Sequence, residues 1–81
     1  MRIKKNIAVS DTGFIFNPSS GDSYSVNPIG MDIVRHLNQN KEIVEIKHAI
    51  MSDYVCDDAT FEKDYYDFTM MLRNYKLLED E

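Results

Sequence analysis

The stretch Tyr24-Ser25-Val26-Asn27-Pro28-Ile29-Gly30-Met31 permits few readings. Tyr24 and Val26 alternate with Ser23 and Ser25, the period-2 pattern of a half-buried strand. Asn27 can then cap a helix with its side-chain oxygen, and Pro28 suits the first helical position, where no backbone N–H is needed. The stretch is therefore a strand passing directly into a helix. The residues before it read as small β-sheet and those after it as helix. A binding surface would be walled by the strand before this joint and a helix after it.

Ile3, Ile7 and Val9 alternate with Lys4, Asn6 and Ala8, which predicts one first strand with an apolar face interrupted at Lys5. Ser10-Asp11-Thr12-Gly13 is a turn signal. Phe14-Ile15-Phe16 is apolar on both faces, as a central strand would be. Asn17-Pro18-Ser19-Ser20-Gly21-Asp22 returns the chain antiparallel to a short third strand, Ser23 to Val26. Strands in this order form a meander. A first helix begins after Asn27, with Ile29, Ile33, Val34 and Leu37 on its apolar side and Asn38-Gln39-Asn40 at its end. A second runs from about Glu42 to Tyr54, placing Ile43, Ile46, Ile50 and Tyr54 on one stripe. Asp57 or Asp58 caps a third, which carries Phe61, Tyr65, Phe68, Leu72 and Tyr75 at alternating four- and three-residue spacing. Leu77 and Leu78 are expected to fold back onto the helices, and Glu79-Asp80-Glu81 to fray. The fold class is α+β: a three-stranded antiparallel sheet followed by a three-helix bundle.

With 81 residues the chain suffices for one domain spanning 1–81 and is too short for two. No apolar run approaches membrane-spanning length, and no signal-peptide pattern opens the chain, so no membrane partner is expected. A single cysteine, Cys56, leaves no internal disulfide and suits a reducing cytoplasm. Nine Lys and Arg against fourteen Asp and Glu give a net charge of −5, a poor footprint for nucleic acid. Arg2, Lys4 and Lys5 read as the soluble face of the first strand.

Asp11-Thr12-Gly13 spells the short motif of aspartic proteases, which need two carboxylates sharing a proton. The same triplet is a good turn, and the helical second half does not suit an all-β protease. His36 and His48 have no metal-like partner at helical spacing. Cys56 sits among Asp53, Asp57 and Asp58, whose charges discourage a thiolate, so it reads as a small packed residue. Those acids lack the glycine and ligand order of a calcium loop. No phosphate-binding glycine loop is present. The residues offer no catalytic constellation and call for no cofactor, which leaves binding as the default.

The third strand is an edge in a meander, and an edge exposes N–H and C=O groups to which an extended peptide can pair. Ser23 and Ser25 are small enough to admit another strand. The third helix carries more apolar surface than one core stripe needs, with Tyr66 and Met70 roughly opposite Phe61 and Leu72 and with Tyr65 and Thr69 at the border. A groove would set the flank of this helix beside the free edge of the third strand.

These residues resemble the PqqD-like family, the recognition elements of ribosomally made, modified peptides. The family pattern is a hairpin, then a glycine, an aromatic, an apolar residue, an asparagine and a small residue, here Gly21, Tyr24, Val26, Asn27 and Gly30, continued by Ile33 and Leu37. Ile43, Ile46, Tyr54, Asp64, Tyr65, Phe68 and Leu72 come next in order, closing on Leu77-Leu78. Two positions depart: Cys56 replaces an aliphatic residue, and Lys76 stands where a glycine often precedes the closing leucines. The resemblance implies a winged-helix-like, non-catalytic peptide chaperone. Such a protein binds the leader of a precursor peptide against the third strand and presents the core to a tailoring enzyme, often a radical SAM enzyme. Ser23, Tyr24, Ser25 and Val26 would supply backbone pairing, and Tyr65, Phe68, Thr69 and Leu72 the side-chain pockets.

Two other readings compete. A winged-helix nucleic-acid binder would need Lys and Arg on a recognition helix. The second helix offers Lys47 against Glu42, Glu45 and Asp53, and the third offers Lys63 and Arg73 against Asp58, Glu62, Asp64 and Asp67. A regulatory domain docking on a folded protein is the other, and the same edge could also pair two copies into a homodimer.

Overall fold

The computed structural model describes residues 1–79. In chain order its elements are β1 (Arg2–Ile3), β2 (Ala8–Ser10), β3 (Phe14–Asn17), β4 (Asp22–Ser25), α1 (Pro28–Asn38), α2 (Ile43–Asp53), α3 (Asp58–Asn74) and β5 (Leu78–Glu79). Strands β2, β3 and β4 form a three-stranded antiparallel meander in that order, followed by the three helices, so the class is α+β as expected.

The N-terminal strand departs from expectation. It is two strands, separated by a turn in which the Ile7 N–H donates to the Lys4 carbonyl at 3.1 Å. Lys5 interrupts the apolar alternation because it occupies that turn, while Ile3 and Ile7 enter the core from either side. β1 leaves the meander to pair antiparallel with β5 in a second, two-stranded sheet, Arg2 opposite Glu79 and Ile3 opposite Leu78. Arg2 Nε meets Glu79 Oε2 at 3.2 Å, so Glu79 is paired rather than frayed. The fraying expected of Asp80 and Glu81 lies outside the described residues.

The joint folds as its residues dictate. Asn27 Oδ1 accepts the Gly30 N–H at 2.8 Å, satisfying one of the orphan donors at the start of α1, and Pro28 takes the first turn. α1 ends in a left-handed residue, Asn40 (φ 59°), with the Lys41 N–H returning to the His36 carbonyl at 3.2 Å. This is the paired C-terminal closure that asparagine tolerates better than most residues. Asp57 caps α3 by accepting the Thr60 N–H at 2.7 Å.

One core joins the layers. Ile15 from the central strand meets Ile33, Val34 and Leu37 of α1, Ile46 and Ile50 of α2, Phe61, Tyr65 and Leu72 of α3, and the closing Leu77 and Leu78. The stripe expected on α2 is shorter than its spacing indicated. Only Ile46 and Ile50 are buried, whereas Ile43, at the first turn, is 46% exposed.

Candidate functional site

The register of the meander fixes which backbone groups of β4 are free. Ser25, Tyr24, Ser23 and Asp22 lie opposite Phe14, Ile15, Phe16 and Asn17. The Val26 N–H donates to the Gly13 carbonyl at 2.8 Å. Antiparallel pairing alternates, so Val26, Tyr24 and Asp22 direct their amides toward β3 and Ser23 and Ser25 direct theirs outward. Among the described residues no strand covers that outer edge. Gly13 makes the pairing with Val26 possible: at φ 99°, a Cβ there would lie 3.0 Å from the Val26 carbonyl oxygen. The Asp-Thr-Gly triplet is thus a turn, stitched by the Thr12 N–H to Ser10 Oγ at 3.1 Å, with the Asp11 side chain in solvent.

Tyr24 points to the inner face with Ile15, and its ring stacks on Tyr75, centroids 4.4 Å apart. This contact ties the C-terminal end of α3 to the edge strand. Its hydroxyl is pushed above the usual tyrosine range, chiefly by desolvation and then by the Asp22 charge. At the other end α1 and α3 approach closely over Gly30, where a Cβ would lie 2.5 Å from Val26 Cγ1 and 3.0 Å from Phe68 Cε1. Beside this contact lies a cleft of about 350 Å³, with Asn27, Ile29, Gly30 and Ile33 on one wall and Asp64, Asp67, Phe68 and Met71 on the other. A second hollow of about 430 Å³ continues along α3 between Tyr66, Met70, Asn74 and Tyr75, sharing Asp67 and Met71 with the first. Together they make a trough along the flank of α3.

The residues expected on this wall are not all in it. Phe68 is half-buried and lines the cleft. Tyr65, Thr69 and Leu72 lie in the protein interior instead. The Thr69 hydroxyl is used within the helix, bonding to the Tyr65 carbonyl at 2.9 Å, and Tyr65 packs its ring against Phe61. Burial raises the Tyr65 hydroxyl above its usual range. The apolar residues facing outward are Tyr66 (63% exposed) and Met70 (38%), the pair set opposite the core stripe by helical geometry. Ile29, Met71, Asp64 and Asp67 also line the walls, beyond the residues expected from sequence. Their signal is the 64, 67, 68, 71 spacing of a second face on α3 and the 29, 30, 33 spacing on α1.

Residues 13–78 match the family model described as coenzyme PQQ synthesis protein D (PqqD). The chain belongs to the PqqD family. The solved structure of TbiB1 in complex with the TbiA(beta) leader peptide shares its fold, with a TM-score of 0.85 and 30% sequence identity over 100% of this chain and 98% of that one. No curated protein matches it. As a PqqD-family protein the chain keeps the glycine geometry at Lys76 without the glycine: Lys76 has φ 59°. Its N–H donates to the Arg73 carbonyl and the Leu77 N–H to the Leu72 carbonyl, both at 2.9 Å, which closes α3 and aims Leu77 and Leu78 into the core. Cys56, the other departure, is half-buried against the core.

Proposed function

We propose that this chain is a non-catalytic peptide chaperone that binds the leader segment of a ribosomally synthesised precursor peptide by strand addition and presents it to a modifying enzyme. The observation that carries this reading is the uncovered edge of β4 beside the trough on α3. A leader laid along that edge pairs with the outward amides and carbonyls of Ser23 and Ser25. Its alternate side chains, about 6.7 Å apart, then face α3. Tyr24 supports this strand from beneath through Tyr75, and Val26 fixes its register through Gly13. Phe68 contacts the leader directly, together with Tyr66, Met70 and Met71. Tyr65, Thr69 and Leu72 hold the helix in place from the core side. PqqD-family membership and the leader complex of TbiB1 support the same reading.

The partner enzyme on this reading is a tailoring enzyme such as a radical SAM protein, met in the cytoplasm. No helix among the described residues is long and apolar enough to cross a membrane. Without a leader, the free edge is also where two copies would pair as a homodimer. Electrostatics do not favour nucleic acid, since Lys47 is held by Glu62 at 2.9 Å and Lys63 by Asp67 at 3.2 Å.

The test uses a synthetic peptide covering the N-terminal half of the short precursor reading frame nearest this gene, titrated into isotope-labelled protein. Amide signals of Ser23, Ser25 and residues 66–75 are expected to shift together, and hydrogen exchange at Ser23 and Ser25 to slow. Shifts confined to α2 would overturn the reading.

A further inference from the structure

The cleft between α1 and α3 has an apolar floor and a charged rim of one sign. Ile29, Phe68 and Met71 are half-buried along it, and Asp64 and Asp67 stand at its mouth. No lysine or arginine lines it. Asp64 has no ion-pair partner among the described residues. Asp67 has only Lys63, one turn away on the same exposed face at 3.2 Å, with both side chains more than half in solvent. Exposed pairs of this kind contribute about 0.3–0.5 kcal/mol and exchange readily. The N-terminus of α1 also points here, but its dipole amounts to about half a positive charge, against two carboxylates. One of its N–H groups is already engaged by Asn27.

Resting on the leader-binding reading, we infer that this cleft selects a lysine or arginine in the bound peptide. The alkyl stem lies on Ile29, Phe68 and Met71 while the cationic head reaches Asp64 and displaces Lys63 from Asp67. Long basic side chains divide in this way between apolar surface and a charged end. A glutamate or aspartate at the same peptide position would face two like charges and be rejected. The net charge of −5 draws a basic segment toward the chain at long range as well.

The experiment is a selection of displayed random twelve-residue peptides on the full 81-residue chain, followed by binding measurements on the best peptide that perturbs the Ser23 and Ser25 amides. The expected result is lysine or arginine at one fixed position in the selected set, and loss of that preference in a parallel selection on the double variant Asp64→Asn, Asp67→Asn. Replacing that lysine or arginine by norleucine should weaken binding to the parent chain about fivefold and leave binding to the double variant unchanged. Peptides that engage Ser23 and Ser25 without a fixed cation, or equal tolerance of norleucine by both proteins, would overturn this inference and leave the leader-binding reading standing. Failure to recover any peptide that engages Ser23 and Ser25 would overturn both.

Discussion

Tyr75 at the end of α3 lies with its ring on that of Tyr24 in the edge strand, at 4.4 Å between centroids and 25° between planes. The two residues are far apart in sequence, and their stack holds the end of α3 that lines the second hollow against the edge strand. It uses ring faces, so the hydroxyl of Tyr75 is dispensable. Tyr75→Ala is expected to lower the Tm by about 5 °C, from the ordinary worth of an aromatic pair in a domain of this size. It should also weaken leader binding, while Tyr75→Phe retains both. Thermal melts and peptide titration on the two variants check this.

Proline separates the two edges of β4. At Ser23 the N–H points away from β3, so Ser23→Pro removes a donor that the fold does not use. Leader affinity should fall about tenfold or more with only a small change in stability. At Tyr24 the N–H points inward, and Tyr24→Pro should unfold the meander. Equal loss of stability in the two variants would mean that the outward assignment of Ser23 is wrong.

Gly30 holds the joint closed. A methyl group there meets Val26 Cγ1 at 2.5 Å, and Val26 is β-branched and cannot swing aside cheaply. Phe68 blocks the other direction at 3.0 Å. Gly30→Ala gains helix propensity but overpacks the contact, for a net loss of about 1–2 kcal/mol. Adding Val26→Ala should restore part of that loss, a coupling visible in chemical denaturation of the single and double variants.

Lys76 bears a conformational cost at φ 59° that glycine would not. Lys76→Gly keeps the closing hydrogen bonds of α3 and should stabilise the chain by about 1 kcal/mol, read as a higher denaturation midpoint at unchanged slope. A destabilised variant would mean that the lysine side chain contributes more than its backbone strain costs.

Local chemistry was legible in the sequence, and remote pairing was not. Asn27 and Pro28 announce the joint because a cap and a first-turn proline act within four residues of themselves. The split between β1 and β2 depends on Leu78 and Glu79, at the far end of the chain, and alternation around Lys5 carries no trace of them. The free edge of β4 followed from strand order alone. The wall on α3 was legible only in part, because this helix has apolar residues on more than one face. Thr69 reads as a polar wall residue until its hydroxyl is seen to be satisfied by its own helix, after which burial costs it little. Tyr66 and Met70 were visible as surplus apolar surface, but the cleft that adjoins them at Asp67 and Met71 depends on the approach of α1 at Gly30.

Acid should weaken the start of α3 through Asp57. Its carboxylate accepts the Thr60 backbone N–H at 2.7 Å, and the Thr60 side chain together with this N–H holds its pKa below the usual value of 3.8. A group whose pKa is lower folded than unfolded adds stability above its unfolded value and loses it as pH falls through the folded one. The difference in Tm between the parent and Asp57→Ala should therefore be constant near neutrality. It should shrink as the pH drops below the ordinary carboxylate range, once the cap in the parent is protonated. Asp57→Asn keeps an acceptor without the titrating charge, so its own Tm difference from Asp57→Ala should not vary with pH. A parent-to-alanine difference that persists undiminished in strong acid would show that the cap acts without its charge.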